Sequence, residues 1–246
     1  MILAALVLVA GTAQAGPADL SFGVEADGVS RYLFRGLAFS RGPALQPSAW
    51  VTLGGGTFEV WGHVPLTKET GNCDFHEVDP SLDWAFEFGD FGVDVGAMAW
   101  VQTGAPFTVE GMLHLSYAVG WGSLFLEQAL DLKEAPGSWY AELGAASEHE
   151  AGPLVLAPRL AVAFADAAYN DYYVDTGVDW SPVGLERGVL GLDVAWAPDV
   201  AAGGYLRVHG EASMLLDAVV RDRVDDPFLV GAGLALGWEG GGDRGP

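Results

Sequence analysis

The sequence predicts an all-β protein, a transmembrane, antiparallel, up-and-down β-barrel of about twelve strands, within a range of ten to fourteen. Half of the 246 residues are hydrophobic and 35 are glycine, a composition that disfavours both a disordered chain and an ordinary helical protein. Apolar residues recur at every second position in segment after segment. These segments are about ten residues long, which is the length that a tilted strand needs to cross a hydrocarbon core.

The first fifteen residues have the pattern of a secretory signal peptide. The run MILAALVLVA is apolar but too short to span a bilayer, and it is followed by the small-residue step Ala13-Gln14-Ala15, which places cleavage before Gly16. No later stretch of about 20 apolar residues offers a transmembrane helix. The sequence therefore predicts a signal peptide at residues 1–15 and a single β-barrel domain at residues 16–246, located in the cell outer membrane of a Gram-negative bacterium.

The strands follow from the alternation of apolar and polar residues. Trp84, Phe86 and Phe88, for example, alternate with Ala85 and Glu87. A soluble β-sandwich also shows alternation, but its strands average about five or six residues, so the length of these segments favours the membrane. The predicted strands lie near residues 20–36, 44–53, 57–65, 81–88, 91–101, 109–119, 123–132, 138–146, 153–164, 171–180, 188–196, 204–214 and 227–238.

The connections in the first half alternate between long and short, as in barrels that pair outer loops with periplasmic turns. The short ones are residues 54–56, 89–90 and 120–122, where glycine or aspartate supplies turn geometry. This alternation puts the N-terminus on the periplasmic side. The thirteen segments violate the even number expected of a single-chain barrel, so we expect twelve strands and place the error near residues 215–224.

Aromatic residues near the ends of many segments predict girdles at the two membrane interfaces. The residues assigned to the girdles are Trp84, Trp100, Tyr117, Trp139, Trp180, Trp196, Tyr205 and Trp238.

Charged residues inside the segments predict the face that lines the lumen, because a charged side chain facing lipid costs about 2 to 4 kcal/mol at the midplane. Two interpretations stay open: a charged constriction that selects solutes, or interior salt bridges that fill the barrel. With an open lumen, the acidic majority favours cations. The predicted pore-lining residues are Arg31, Arg35, Glu59, His63, Asp83, Glu87, Asp94, Glu110, His114, Glu127, Arg207 and Glu211.

The segment Ser30-Arg31-Tyr32-Leu33-Phe34-Arg35-Gly36, followed by Ser40 and by Pro43-Ala44-Leu45-Gln46, resembles the N-terminal signature of the TorF-like family of uncharacterised bacterial outer-membrane porins. The resemblance covers residues 20–65 in detail and the remainder only in pattern. It implies an outer-membrane β-barrel with a transport role and brings no catalytic residues. The last strand, with Gly233, Leu236 and Trp238, resembles the signal that the barrel-assembly machinery reads during insertion.

A catalytic alternative rests on His114, Ser116 and Glu127. The tight turn at residues 120–122 places Glu127 beside His114 or Ser116 on one face, which is the serine, base and orienting-carboxylate set of a hydrolase. The set resembles that of the outer-membrane lipid A deacylase, although only these three residues match. We expect no enzyme. The competing hypotheses are a non-conducting structural or adhesive barrel and an outer-membrane lipid hydrolase.

Metal and macromolecular partners are weakly indicated. Cys73 and Asp74 share a loop with His76, Glu77 and Asp79, but no strict ligand spacing is present, so we expect no metal and no other cofactor.

With 33 acidic and 11 basic residues the net charge is −22, which excludes nucleic acid as a natural partner. The expected partners are outer-membrane lipid, the assembly machinery, and small solutes or ions; the oligomeric state stays open.

Overall fold

The computed structural model describes residues 20–40, 42–67, 76–174, 184–197, 203–222, 224 and 226–241. The predicted signal peptide, Cys73, Asp74 and Trp180 lie outside these ranges. The elements, in chain order, are β1 (Leu20–Val29), β2 (Leu33–Phe34), β3 (Leu37–Ala38), β4 (Ala44–Leu53), β5 (Gly56–Pro65), β6 (Glu77–Phe88), β7 (Phe91–Gln102), β8 (Thr108–Val119), β9 (Gly122–Asp131), β10 (Trp139–Ala146), β11 (His149–Ala151), β12 (Leu154–Ala165), α1 (Ala167–Val174), β13 (Gly184–Trp196), β14 (Gly204–Leu215), α2 (Ala218–Arg221) and β15 (Phe228–Gly241).

Twelve antiparallel strands close into a barrel, which confirms the predicted fold class. Each long strand pairs with its neighbours in the chain, and β1 closes the ring by pairing with β15 from Ser21 opposite Gly241 to Val29 opposite Gly233. β10 and β11 both pair with β12 and together form one interrupted strand of the wall. β2 and β3 form a separate two-stranded sheet.

The two ends of the barrel differ in their connections. Gly54, Gly89 and Gly152 lie in short connections at one end and have φ of 59°, 66° and 63°, a backbone region in which glycine avoids the Cβ clash of other residues. We call this the short-turn end; β1 begins and β15 ends there. The connections at the opposite, long-connection end include residues 30–40, 103–107 and 132–138, and α1 and α2 lie in two further connections there.

The outer surface of the barrel is apolar. Leu190, Leu236 and Leu160 are each about 60% exposed, and the outward face of β6 presents only apolar and aromatic side chains. Such a face is stable against acyl chains and unstable in water, as expected for a barrel that crosses a membrane. No helix among the described residues has the length and apolar character needed to span a bilayer.

The predicted aromatic girdles hold in part. Trp84, Tyr117, Trp196 and Trp238 are exposed on the outer face. Trp100 was assigned to the wrong side: it points inward and is 7% exposed. Tyr205 also points inward, and its hydroxyl donates a hydrogen bond to Glu25 (2.8 Å). In the sequence, Trp100 and Tyr205 each stand at the same alternate positions as the inward-facing residues of their strand. Their position in the two-residue period therefore predicts that they face the lumen, although aromatic chemistry alone suggests the membrane interface.

Two predicted strand assignments are wrong. The strand predicted at residues 20–36 ends at Val29, and the chain then turns into the barrel. The described part of the strand predicted at 171–180 belongs to helix α1, and this segment is the thirteenth, surplus strand. The error was expected near residues 215–224, where residues 218–221 form the short helix α2. The Asp166 carboxylate accepts the backbone N–H of Tyr169 (2.8 Å), and this cap favours a helix where the aromatic alternation indicated a strand.

Candidate functional site

Residues 30–40, which we call the inner hairpin, fold into the lumen at the long-connection end. Tyr32 and Phe34 are 1% and 3% exposed and pack with Met98 and Trp100 of β7. The hairpin turns at Arg35 and Gly36, whose φ values are 45° and 82°. A Cβ on Gly36 would lie 2.6 Å from the Arg187 side chain. Glycine therefore suits this turn for two reasons: it adopts a positive φ without strain, and it leaves room for Arg187.

Arg35, at the tip of the hairpin, contacts the barrel wall through its charge. Its guanidinium donates two hydrogen bonds to the Glu110 carboxylate on β8, at 2.9 and 2.7 Å, and one to the Tyr169 hydroxyl on α1 at 3.2 Å. The same group lies over the rings of Phe34 and Tyr140, at 4.6 and 4.8 Å from their centroids. Glu110 is 1% exposed, so this is a two-point ion pair inside the barrel.

Burial along β6 shows where the lumen is filled. On its inward face Glu77, Asp79 and Ser81, near the long-connection end, are buried, Asp83 is half-buried, and Glu87, near the short-turn end, is exposed. All of them belong to one face of one strand, so the difference comes from what occupies the interior beside them. The inner hairpin, together with Tyr169 of α1 and Val220 of α2, fills the long-connection half of the lumen, and the other half is accessible to water.

The water-accessible half has an acidic wall made by β5, β6 and β7. Glu59, Asp83, Glu87 and Asp94 point inward there, and none of the four forms an ion pair with lysine or arginine within the described part of the chain. Asp94 lies opposite His114 in the strand register, and Asp83 lies opposite Gly96. This wall therefore presents four carboxyl groups that have no lysine or arginine partner in the described residues, and His114 is the basic neighbour of Asp94.

The wall opposite the acidic wall is made by β12 to β14, which lie six positions from β5 to β7 in the twelve-strand ring. This wall carries three arginines. Unlike those of the acidic wall, its charges are paired, mainly with carboxylates of the neighbouring strands β10 and β1. Glu142 accepts hydrogen bonds from Arg159 and Arg187, which are 14% and 4% exposed. Arg207 pairs with Glu25 (2.6 Å) and with Asp193 (3.0 Å). Carboxylates surround these guanidinium groups, so the wall adds no net positive charge.

Glycines on β15 let side chains from β14 and β1 meet across the closing seam. The Nε2 atom of His209 lies 2.8 Å from the Asp27 carboxylate, and the imidazole lies directly over Gly233. A Cβ on Gly233 would come within 2.1 Å of the imidazole. Gly237 similarly leaves room for the Tyr205 ring. Because β15 contributes no bulk there, the seam is bridged on its inner face by polar contacts in addition to the backbone ladder.

The remaining predicted lumen residues occupy different environments. Arg31 is half-buried beside Gly231, where the chain leaves β1. His63 is fully buried, with its ring 4.8 Å from that of Tyr32. Glu211 lies 3.5 Å from Arg187. The structure thus separates the predicted set into residues packed against the inner hairpin and residues of the water-accessible half.

Several interior charges were missed by the sequence reasoning. These are Glu25, Asp27, Glu142, Arg159 and Arg187. A signal was present for Glu25, Asp27, Glu142 and Arg159, which stand inside predicted segments of alternating residues, where the lipid cost of charge places them on the inner face. Arg187 precedes the strand predicted at residues 188–196 and had no such signal. Their pairing had no signal, because Arg207 and Glu25 are 182 residues apart and meet only when the ring closes.

The possible catalytic set is brought together only in part. His114 and Glu127 are direct cross-strand partners, and Nδ1 lies 3.3 Å from Oε1. Among the described contacts, no hydrogen bond joins Ser116 to His114; the Ser116 hydroxyl lies beside Gly92, and Glu127 also contacts Arg159 at 3.4 Å. The set faces the lumen and is not presented to lipid.

No group of three or more metal-ligating side chains occurs in the described ranges. Of the residues considered for a metal, Cys73 and Asp74 lie outside these ranges, and Glu77 and Asp79 are inward-facing residues of β6 and not of a loop. Asp79 accepts the backbone N–H of Val101 (3.2 Å), and Glu77 accepts the side-chain amide of Gln102 (2.8 Å).

No protein-family model matches the sequence, and no curated protein matches it significantly. The fold is similar to that of the COG4313 outer membrane channel from Pseudomonas putida F1, with a TM-score of 0.52 at 8% identity over 92% of this chain and 96% of that one. The CymD monoaromatic hydrocarbon channel gives 0.46 at 8% identity over 93% and 90%, and Salmonella typhi OmpF gives 0.40 at 8% over 91% and 97%. Only the first likeness is strong enough to support the fold.

The closed ring, its apolar outer face and this likeness define the class of protein: the chain is a twelve-stranded outer-membrane β-barrel. The predicted outer-membrane location is thereby supported. The narrower resemblance to the TorF-like family stays a prediction.

Proposed function

We propose that this chain is an outer-membrane channel for the passive passage of small solutes or ions, with cations favoured. The observation that carries the proposal is the acidic wall of Glu59, Asp83, Glu87 and Asp94, which faces the water-accessible half of the lumen without a lysine or arginine partner in the described residues. Uncompensated carboxylates concentrate cations and repel anions at short range. The opposite arginine wall does not offset this field, because its charges are already paired.

The fold agrees with a transport role, since the COG4313 protein to which it is similar is an outer membrane channel. The predicted pore-lining residues of this wall therefore receive specific roles: Glu59, Asp83 and Asp94 set the charge of the path, and Glu87 lies at its short-turn mouth. Arg35 and Glu110 belong to the filled half.

Ion selectivity in planar bilayers tests the proposal. Purified protein is expected to give discrete conductance steps, with a reversal potential under a KCl gradient that indicates cation preference. The triple variant Glu59→Gln/Asp83→Asn/Asp94→Asn is expected to lower the cation-to-anion permeability ratio several-fold, because it removes three charges from the path.

A matched control removes the same number of charges outside the acidic wall. Glu134→Gln/Glu148→Gln/Glu150→Gln alters residues of two connections and of β11, outside β5 to β7, and it should leave the permeability ratio close to that of the wild type. The channel proposal is contradicted when neither the wild-type chain nor a folded variant with residues 31–42 replaced by a glycine-serine linker shows steps at any voltage.

The alternatives gain no better support. A structural or adhesive barrel predicts no conductance from either protein. A lipid hydrolase predicts lipase-like activity that Ser116→Ala abolishes, and for the proposed channel this variant should leave conductance unchanged.

We also propose that residues 1–15 are removed as a signal peptide, that residues 16–246 form the mature barrel, and that the assembly machinery inserts it. N-terminal sequencing of the membrane-inserted protein checks the cleavage site.

A further inference from the structure

We propose that the inner hairpin is a latched gate, which closes the long-connection half of the lumen and leaves it as a unit when the ion pair between Arg35 and Glu110 opens. The inference rests on the proposed channel function and adds a closing device to it. A permanent plug is the competing explanation, and the tests below separate the two.

The hairpin carries no barrel-wall strand. Among the described residues, β2 and β3 pair only with each other, Leu33 opposite Ala38 and Phe34 opposite Leu37, and they form a sheet separate from the wall. The backbone joins the wall at the two ends of the segment, where Ser30 donates to the Ala232 carbonyl (2.8 Å) and Leu66 donates to the Pro43 carbonyl (2.9 Å). Withdrawal of the hairpin between these anchors therefore breaks no hydrogen bond of the barrel ladder.

Its internal contacts let the hairpin move as one piece. Phe39 donates its backbone N–H to the Tyr32 carbonyl (2.8 Å), and the Ser40 hydroxyl accepts the Tyr32 N–H (2.7 Å). The rings of Tyr32, Phe34 and Phe39 lie within 6.5 Å of one another. These bonds lie within the segment itself, so they do not depend on its position in the lumen.

The polar contacts of the latch are concentrated at the tip, while Tyr32, Phe34 and Leu37 hold the hairpin by apolar packing against the wall and its connections. Arg35 has a left-handed backbone conformation, which is unfavourable for a residue with a Cβ and persists only where surrounding contacts stabilise it. Those contacts are Glu110, the Tyr169 hydroxyl and the rings of Phe34 and Tyr140. Loss of the ion pair leaves Glu110 buried without its cation, which favours hydration of this region and release of the tip.

A reversible cross-link tests whether the hairpin must move. A Cβ built on Gly231 of β15 lies 3.3 Å from Leu33 Cγ, close to the separation of about 3 Å between the Cβ of one cysteine and the sulfur of the other in a disulfide. In a Cys73→Ser background, the Leu33→Cys/Gly231→Cys pair is expected to lose at least about nine-tenths of its conductance when oxidised and to recover it on reduction. The two single-cysteine variants are the controls and should not respond to oxidant.

The latch itself is tested by Glu110→Gln and Arg35→Gln. Each is expected to raise the ratio of open to closed time in planar bilayers about tenfold or more, since a charge-assisted pair is lost from the closed state only. Glu134→Gln breaks the Lys133–Glu134 ion pair (2.5 Å) at the same end of the barrel and should leave the ratio unchanged.

The outcomes separate this proposal from the channel itself. Conductance that is equal in the oxidised and reduced double-cysteine variants overturns the gate and leaves the channel standing. A folded barrel that stays silent with residues 31–42 replaced by a linker overturns both. Strong conductance of the replaced variant, together with a latch-dependent open time of the full chain, supports both. Migration of the unheated protein as a compact band in SDS gels serves as the folding control.

Discussion

Arg35 and Glu110 show how much a single pair of residues decides inside this barrel. Both are charged residues of predicted lumen segments, and their charge alone is sufficient to place them away from lipid. Their partnership is a property of the folded chain, because the pair spans 75 residues and joins a connection to the wall. The same holds for Arg207 and Glu25, which meet only because β1 pairs with β15 and closes the ring. Residue chemistry therefore predicted sides but not partners.

The glycines of the seam make a residue-scale prediction. Gly233→Ala is expected to lower the free energy of unfolding by about 1 to 3 kcal/mol, because the new Cβ would come within 2.1 Å of the His209 imidazole and displace it from Asp27. Denaturant unfolding of the barrel in lipid vesicles measures the change. Gly210→Ala is the control, since its Cβ would lie 3.6 Å from the nearest atom; an equal effect of the two substitutions contradicts the steric explanation.

At the scale of elements, the tight turns of the short-turn end were predictable and the connections of the other end were not. The alternation of residues located the long wall strands and the turns at residues 54–56, 89–90 and 120–122. The inner hairpin was assigned to a lipid-spanning strand, because its residues continue the period of β1 for several positions. The alternation does not indicate that the chain leaves the wall at Ser30; the positive φ of Arg35 and Gly36 becomes visible only in the structure.

Two turn glycines of the same end should respond differently to substitution. Gly89 has a φ of 66° and Gly120 does not have a positive φ, whereas a Cβ on either would meet no atom within 4 Å. We expect Gly89→Ala to lower the free energy of unfolding by about 1 to 2 kcal/mol through backbone strain alone. Gly120→Ala should leave it unchanged or slightly raised. Parallel urea titrations of the two variants distinguish these effects, and equal losses would show that φ does not decide them.

At the scale of the whole molecule, the apolar surface determines where the barrel is stable. Leu190 lies near the middle of β13 and is 58% exposed on the outer face, and Leu66 lies beyond the end of β5 and is 60% exposed. Leu190→Arg is expected to lower stability in lipid vesicles by about 2 to 4 kcal/mol, and Leu66→Arg by no more than about 1 kcal/mol, because the cost of charge depends on depth in the bilayer. Equal costs would contradict the assignment of β13 to the membrane.

The sequence by itself determined that the chain is extended, that its strands are long enough for a membrane, and that their charged faces point inward. These are local properties, set by a period of two residues and by the cost of charge in hydrocarbon. The tertiary structure decided which charges meet, which wall remains acidic, and that residues 30–40 fill half of the lumen. Those features depend on ring closure and on packing between distant segments, and neither is recorded in the alternation of any one strand.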